Sequence, residues 1–261
     1  MNKFINKFIA RAFIPALAAI SLAAPACAAD LPAREYRSPP VAAPVPVYDW
    51  SGFYIGGNIG GAWDSSTSTN RALDGTFVSS GSGNNSGVIG GGQIGYNFMA
   101  SPNFLLGLEA DIEATSLKGS VTSIDGSNIH SSKLDDFGTA RGRAGFTVDN
   151  WLFYGTGGFA WSEGTESRTQ VVGVTSVPPI PAPGGTVESV SNTRTGWTAG
   201  AGVEWGLTQN WTARVEYLYL DLGNATSVFP LSNRQETSSL TMNVARFGVN
   251  YKFGGPVVAK Y

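Results

Sequence analysis

The sequence predicts an all-β protein, an eight-stranded antiparallel transmembrane β-barrel with short periplasmic turns and long outer loops. Three observations predict this fold class: eight segments alternate apolar and polar side chains, the links between them alternate in length, and the chain opens with an export signal. The composition agrees, because only 14% of the 261 residues are charged, whereas about a quarter are charged in soluble domains. No apolar run after the N-terminal segment is long enough for a membrane helix, so a soluble all-β protein is the alternative.

Residues 1–28 are predicted to be a cleaved signal peptide. Lys3, Lys7 and Arg11 form its positive end, residues 12–22 form its apolar part, and Ala26-Cys27-Ala28 offers a cleavage site of the A-x-A type. The only cysteine leaves with this segment, so the mature chain has no disulfide and no thiol chemistry. A lipoprotein anchor at this cysteine is an alternative, but the upstream leucine expected for one is missing.

Residues 29–49 are predicted to be a proline-rich periplasmic lead-in. The segment has no apolar period, which indicates an extended spacer rather than a domain. It either tethers the chain to peptidoglycan or to another envelope protein, or it is a bare spacer. Removing the signal peptide leaves 14 of the 17 basic residues against 19 acidic residues, a net charge near −5. Because there is also no basic run, we expect no nucleic-acid binding.

The first predicted strand spans residues 50–63 and has the sequence WSGFYIGGNIGGAW. Successive side chains of a strand point to opposite faces. Phe53, Ile59 and Trp63 therefore share an apolar face that has an aromatic near each end, and Tyr54 and Asn58 lie on a small or polar face. An apolar face bounded by aromatics is typical of a strand that faces lipid.

Seven further segments repeat this alternation, at residues 87–99, 104–117, 137–148, 151–161, 195–206, 211–222 and 240–253. Each is long enough to cross a bilayer when tilted. Short turns are predicted around Ser101, Asp149 and Thr208, and long outer loops at residues 64–86, 118–136, 164–194 and 223–239. The barrel thus spans residues 50–253, its first strand closes against its last, and residues 254–261 form a C-terminal extension.

The face opposite the aromatics carries nine charged residues. Four arginines and five acids are nearly neutral together, and charged side chains are costly when they face lipid. We therefore expect them inside the barrel as a network of ion pairs that fills the lumen; a narrow polar pathway or a proton relay is the alternative. The nine residues are Glu109, Asp111, Glu113, Arg141, Arg143, Glu204, Arg214, Glu216 and Arg246.

Aromatic residues on the outward face are predicted to form the two girdles that border the apolar band of a membrane barrel. Membrane lipid and lipopolysaccharide are the partners expected for this surface. The girdle candidates are Phe53, Trp63, Trp151, Trp161, Trp197, Trp205, Trp211, Tyr217, Tyr219, Tyr251 and Phe253.

No motif predicts a catalytic, cofactor or metal site. Residues 90–95 fit G-x-G-x-x-G, but a strand continues after them where a dinucleotide site needs a helix. His130, the only histidine, lies in a predicted outer loop. It could ligate haem or a metal, but without a second His or a Cys it builds no site from the protein alone.

Several stretches resemble one known family. The mature start AADLP, the proline-rich lead-in, the segment 50–63 and the ending GVNYKF at 248–253 are similar to α-proteobacterial outer-membrane immunogenic proteins, the small porin-like barrels of the 25 and 31 kDa surface-antigen type. The resemblance implies an eight-stranded outer-membrane barrel, surface loops recognised by host antibodies in pathogenic relatives, and a role in envelope integrity. Some relatives bind haemin, but no residue here matches a motif for that trait.

The end of the chain departs from the family pattern. Relatives often stop at a terminal Phe that the barrel-assembly machinery recognises, whereas this chain continues from Phe253 to Tyr261. Either aromatic could serve as the assembly signal.

These features together predict a non-enzymatic surface protein of the bacterial outer membrane with a structural and surface-interaction role. A narrow porin-like channel for ions or small solutes is one alternative, and a surface receptor for haemin or another ligand is a second.

Overall fold

The computed structural model describes residues 48–122, 128–171 and 185–254. The predicted signal peptide, most of the lead-in and the C-terminal extension after residue 254 lie outside these ranges. No helix in the described ranges is long and apolar enough to cross a membrane.

Nine strands form a single antiparallel sheet within the described residues. They are β1 (Gly52–Ala72), β2 (Phe77–Ser101), β3 (Phe104–Thr115), β4 (Lys118–Thr122), β5 (Asn128–Val148), β6 (Trp151–Gln170), β7 (Val187–Gly206), β8 (Trp211–Phe229) and β9 (Arg234–Lys252). Their order is β3-β2-β1-β9-β8-β7-β6-β5-β4, and a further pairing of β3 with β5 closes the ring. The sheet is therefore a closed antiparallel barrel, and the predicted fold class is confirmed.

The ninth strand arises because one of the eight strands around the barrel is broken into two pieces, β3 and β4. β3 and β4 both pair with β5, and only Ser116 and Leu117 separate them. At the break, the amide of Val88 donates to the Ser116 hydroxyl at 3.0 Å and the amide of Leu117 donates to the Thr115 hydroxyl at 3.0 Å. These hydroxyls accept the hydrogen bonds that backbone carbonyls would accept in a continuous strand pair. The Leu117 side chain points into the lumen, where it is 1% exposed. The barrel wall therefore has eight positions, as predicted.

The three short turns lie at one end of the barrel, where the chain also enters and leaves. They join β2 to β3, β5 to β6, and β7 to β8. Asp149 in the second turn adopts a φ of 52°, a left-handed conformation that Asp and Asn tolerate better than other residues. Because outer-membrane barrels keep short turns in the periplasm, this end is the periplasmic one.

The outer connections are shorter than predicted, because the strands continue far beyond the membrane. β1 and β2 stay paired up to Arg71 and Phe77, so the predicted loop 64–86 is a hairpin with a turn at residues 73–76. β8 and β9 likewise pair up to Phe229 and Arg234. In these extensions both faces meet water or a polar lumen, so the apolar period disappears although the backbone ladder continues. The long loops of the sequence prediction are therefore, in their described parts, extended hairpins.

The barrel interior consists of stacked layers that can be followed along β3 and its continuation. Leu105 lies nearest the periplasm, Glu109 and Glu113 follow, and Leu117 lies furthest out; all four are at most 5% exposed. The periplasmic cluster contains Trp50, Leu105, Leu152 and Tyr154, with Tyr48 and Met99 packed against it. The outer cluster contains Ala62, Ile89, Leu117, Phe137, Ala160, Leu218, Leu220, Leu222, Met242 and Val244, with Leu134 and Leu240 packed against it.

Candidate functional site

The acidic side of the lumen comes from β3, whose alternate residues share one face. Antiparallel pairing sets Glu109 opposite Arg141 on β5. The Arg141 guanidinium donates to a carboxylate oxygen of Glu109 at 2.5 Å and to one of Asp111 at 2.7 Å. Neighbouring strands thus place two carboxylates within reach of one guanidinium.

Other ion pairs cross the lumen between strands that are not neighbours. Arg141 on β5 donates to Glu216 on β8 at 3.0 Å. Arg246 on β9 donates to Asp111 on β3 at 3.0 Å, and it also donates at 2.8 Å to Glu216, which lies directly opposite it on the neighbouring strand β8. It also contacts Glu113. The contacts of Arg141 with Glu216 and of Arg246 with Asp111 and Glu113 join opposite walls of the barrel.

A second group of contacts lies nearer the periplasm. Arg143 donates to Glu204 on β7 at 2.6 Å, and Arg214 on β8 contacts Glu109. The Tyr54 hydroxyl connects them, because it accepts from Arg143 at 2.9 Å and donates to Glu109 at 2.6 Å.

All nine charged residues that the sequence placed inside the barrel lie in this lumen, and none is more than 5% exposed. Carboxylates and guanidiniums of these residues contact one another in one connected set. Their near-neutral total suits burial, since an unpaired charge would be very costly there. We call these nine residues the charged layer.

Uncharged polar side chains that the sequence analysis did not include in the ion-pair network complete the charged layer. Gln93 donates to Asn250 at 2.7 Å, and Asn250 donates to Glu204 at 2.9 Å. Asn58 donates to Glu113 at 2.7 Å, and Thr139 donates to Asp111 at 2.9 Å. The period of two already places these residues on the inward face. Their position in the strand, and not a charge, was therefore the feature of the sequence that could have identified them.

The outer apolar cluster was missed altogether. Leu218, Leu220 and Leu222 follow Glu216 on the inward face of β8, opposite Met242 and Val244 of β9. Leu218 and Leu220 are fully buried. The sequence analysis expected a polar lumen, but above the charged layer this barrel has a buried apolar core like that of a soluble protein.

The predicted girdle residues lie on the outward face at two heights. Near the periplasm, Trp151 stacks on Trp205 with ring centroids 5.4 Å apart. Near the outer side, Trp63 approaches Tyr217 at 6.4 Å. Phe53 and Trp63 are ten residues apart on one strand, about 33 Å along it, which a barrel tilt of about 40° reduces to about 25 Å. That height matches the apolar band of about 25 Å in outer-membrane barrels.

The remaining girdle candidates complete these two levels. Phe53, Trp211, Tyr251 and Phe253 lie near the periplasmic ends of their strands, while Trp161, Trp197 and Tyr219 lie further out. Trp161 and Tyr219 are half-buried and the others are exposed.

A polar cavity of about 400 Å³ lies above the apolar cluster, at the outer mouth. His130 lines it from β5, so this residue is on a strand and not in the loop that the sequence predicted. Its Nδ1 lies 3.4 Å from a carboxylate oxygen of Glu236 on β9. Burial raises the pKa of Glu236, but hydrogen bonds from His130 and Ser68 and the charges of His130 and Arg168 together outweigh it, so this pKa lies below its ordinary value of 4.5. In the part of the chain that the structure describes, no group of three or more His, Cys, Asp or Glu residues could hold a metal ion.

Comparison with known proteins gives one family for this architecture. A family model described as an outer membrane protein beta-barrel domain matches residues 14–253. The 31 kDa outer-membrane immunogenic protein of Brucella melitensis is 34% identical over 257 residues, covering 93% of this chain and 100% of the relative. The 25 kDa outer-membrane immunogenic protein of Brucella abortus is 31% identical over 220 residues, covering 83% and 87%. The crystal structure of OprG from Pseudomonas aeruginosa aligns with a TM-score of 0.44 at 12% identity, covering 78% and 97%.

Proposed function

Because this chain belongs to the outer membrane protein beta-barrel domain family and resides in the outer membrane, we propose that it is a closed, non-enzymatic barrel that supports the envelope and presents its outer hairpins to the surroundings. The surface-antigen names of its relatives fit a chain whose outer strands project beyond the membrane.

One observation carries the closed-barrel proposal: three unlike layers fill the lumen one above another. Trp50, 1% exposed, lies in the periplasmic cluster. The charged layer follows, with each guanidinium held by carboxylates, and then the outer apolar cluster. A hydrated path would have to displace ion pairs and also wet a buried apolar core, and each step has its own free-energy cost.

The proposal also extends to partners. The outward girdles suit membrane lipid and lipopolysaccharide, because Trp and Tyr place an apolar ring and a polar edge at the interface. Phe253 is 54% exposed at the end of the last strand, where the barrel-assembly machinery could read it. Tyr261 is the other candidate for the assembly signal and lies outside the described residues. Tethering to peptidoglycan or an envelope protein through the lead-in stays a proposal that rests on composition alone.

Planar-bilayer recording tests the closed state against the narrow-channel alternative. We expect the refolded protein to show no discrete conductance steps, because the buried apolar clusters of the described residues interrupt the polar part of the lumen. Heat-modifiable migration on a gel provides the folding control, and a general porin added to the same membranes verifies that insertion is detectable. Reproducible unitary steps from the folded protein would overturn the proposal in favour of a channel.

A further inference from the structure

The cavity at the outer mouth is lined mainly by small hydroxyl and amide side chains. Eleven of its 32 lining residues are serines, and three are asparagines. They project from seven strands, β1, β2, β4, β5, β6, β7 and β9, so the rigid wall of the barrel holds them in place. Leu117, Leu134 and Leu240, at the top of the outer apolar cluster, supply its floor. Its volume of about 400 Å³ lies within the range of about 300–1,000 Å³ typical of small-molecule sites.

The charges around this cavity compensate one another. Three carboxylates and three permanent cations line it. Arg194 lies 3.1 Å from Glu166, and His130 pairs with Glu236. The cavity therefore offers no surplus charge to an anion such as phosphate, nor to a cation.

Two polar atoms in the wall are buried without a partner. The Asn70 side-chain oxygen and the Ser162 hydroxyl both belong to lining residues, which are 8% and 1% exposed. Neither atom has a hydrogen-bond partner within the described ranges. Buried polar atoms are seldom left unsatisfied in native proteins, so these two lining side chains have unused hydrogen-bonding capacity beside the cavity.

We propose that this cavity binds a neutral, polyhydroxylated ligand, that is, an uncharged saccharide. Sugar hydroxyls both donate and accept, which matches a wall of serine hydroxyls and asparagine amides. The C–H faces of a sugar ring are apolar and suit the leucine floor. The ligand is either a free sugar or the end of a neutral surface glycan, which share this chemistry. The inference deepens the proposed surface-interaction role and rests on the closed barrel below the cavity.

Titration of methyl glycosides tests the proposal. The refolded protein is placed in phospholipid nanodiscs, since sugar-based detergents would compete. Methyl glucoside, mannoside, galactoside and N-acetylglucosaminide are titrated by calorimetry, and inorganic phosphate serves as the charged probe. An array of neutral oligosaccharides distinguishes a free sugar from the end of a surface glycan. If the ligand is a surface glycan, the protein would bind to oligosaccharides on the array even if the methyl glycosides do not bind. We expect saturable binding to a neutral sugar in one of these formats and none to phosphate.

A pair of matched variants locates the site. Asn70→Leu removes the buried amide from the cavity wall. Asn84→Leu makes the same change at an exposed position on β2 that does not line the cavity. We expect Asn70→Leu to weaken binding about tenfold or more and Asn84→Leu to leave it unchanged, since a tenfold change corresponds to the loss of about one good hydrogen bond. Ser162→Ala is the second site variant, and heat-modifiable migration verifies that each variant folds.

Three results would overturn the inference: no saturable sugar binding in either format, tighter binding of phosphate, or equal effects of Asn70→Leu and Asn84→Leu. Conductance is measured independently of sugar binding. A silent barrel that binds no sugar contradicts only the ligand assignment, and a conducting barrel that binds sugar contradicts only the closed state.

Discussion

Arg214 shows at the residue scale how strongly the barrel depends on its charged layer. The side chain is 1% exposed and contacts Glu109, which also receives hydrogen bonds from Arg141 and Tyr54. Removing one member of such a set leaves buried carboxylate charge without its partner. The damage therefore exceeds the loss of a single contact.

We predict that Arg214→Ala lowers the free energy of unfolding by about 3–5 kcal/mol. The control is Arg71→Ala, because Arg71 is exposed at the outer end of β1 and should cost no more than about 0.5 kcal/mol. Arg168 is unsuitable as a control: its segment was predicted to be a loop, but it is 3% exposed on β6. Urea unfolding from lipid vesicles measures both variants, and equal midpoints would refute a stabilising charged layer.

Glu236 should make the outer mouth sensitive to acid. Its pKa lies below the ordinary value of 4.5 in the folded protein, because His130, Ser68 and Arg168 together outweigh the effect of burial. A lowered folded-state pKa contributes stability that is present in full above the unfolded pKa and lost as the pH falls through the folded pKa.

We therefore predict that the stability gap between the native chain and Glu236→Gln has its full size at pH values well above 4.5 and closes as the pH falls below 4.5. Urea midpoints from pH 7 to pH 3 measure the gap. Glu163→Gln, at an exposed position on the outward side of β6, is the matched control and should leave the profile unchanged. A gap that stays constant across this range would show that the His130–Glu236 pair contributes nothing.

At the element scale, the extended outer hairpins are the parts of the barrel that the lipid does not support. The β1–β2 hairpin ends in a turn where the Gly75 amide donates to the Ala72 carbonyl at 2.9 Å and Gly75 has a φ of 90°. Such a backbone conformation is costly for any residue with a Cβ. The turn thus depends on this glycine.

Replacing Gly75 with Ala should loosen this hairpin without affecting the membrane barrel. A Cβ at Gly75 would meet nothing within 4 Å, and the same holds for Gly81 on β2, so the two sites differ in backbone conformation and not in space. We expect Gly75→Ala to cost about 1–2 kcal/mol of local stability, seen as faster amide exchange in the hairpin. Gly81→Ala should not accelerate exchange, and equal rates in the two variants would contradict the role of the turn.

At the scale of the whole molecule, the stacked layers of side chains fill the interior of the membrane barrel. The periplasmic cluster, the charged layer and the outer apolar cluster each join opposite walls, so the lumen adds cross-links to the ring of backbone hydrogen bonds. Tyr48 extends this filling towards the periplasm, where the Lys252 ammonium lies 4.9 Å from its ring centroid. The expected absence of conductance follows from all three layers together and from no single residue.

The sequence by itself determined the strands within the membrane, because lipid on one side imposes a period of two that side chains must obey. It placed all nine members of the charged layer inside, since residues such as Glu109 and Arg141 could not face lipid. It also located the short periplasmic turns, because their Pro, Asn, Asp and Ser residues favour tight turns. These are local properties, and a single strand suffices to display them.

Only the tertiary structure decided which of these residues meet and what lies above them. The stagger of the closed barrel brings Arg141 to Glu216 and Arg246 to Asp111, and no local pattern encodes that stagger. The outer hairpins lose their apolar period because both faces meet polar surroundings, so the sequence pattern resembled loops. Leu218 and its neighbours fill the lumen because a closed ring of eight strands excludes water there. For the same geometric reason, the polar cavity at the outer mouth becomes visible only once the strands have closed.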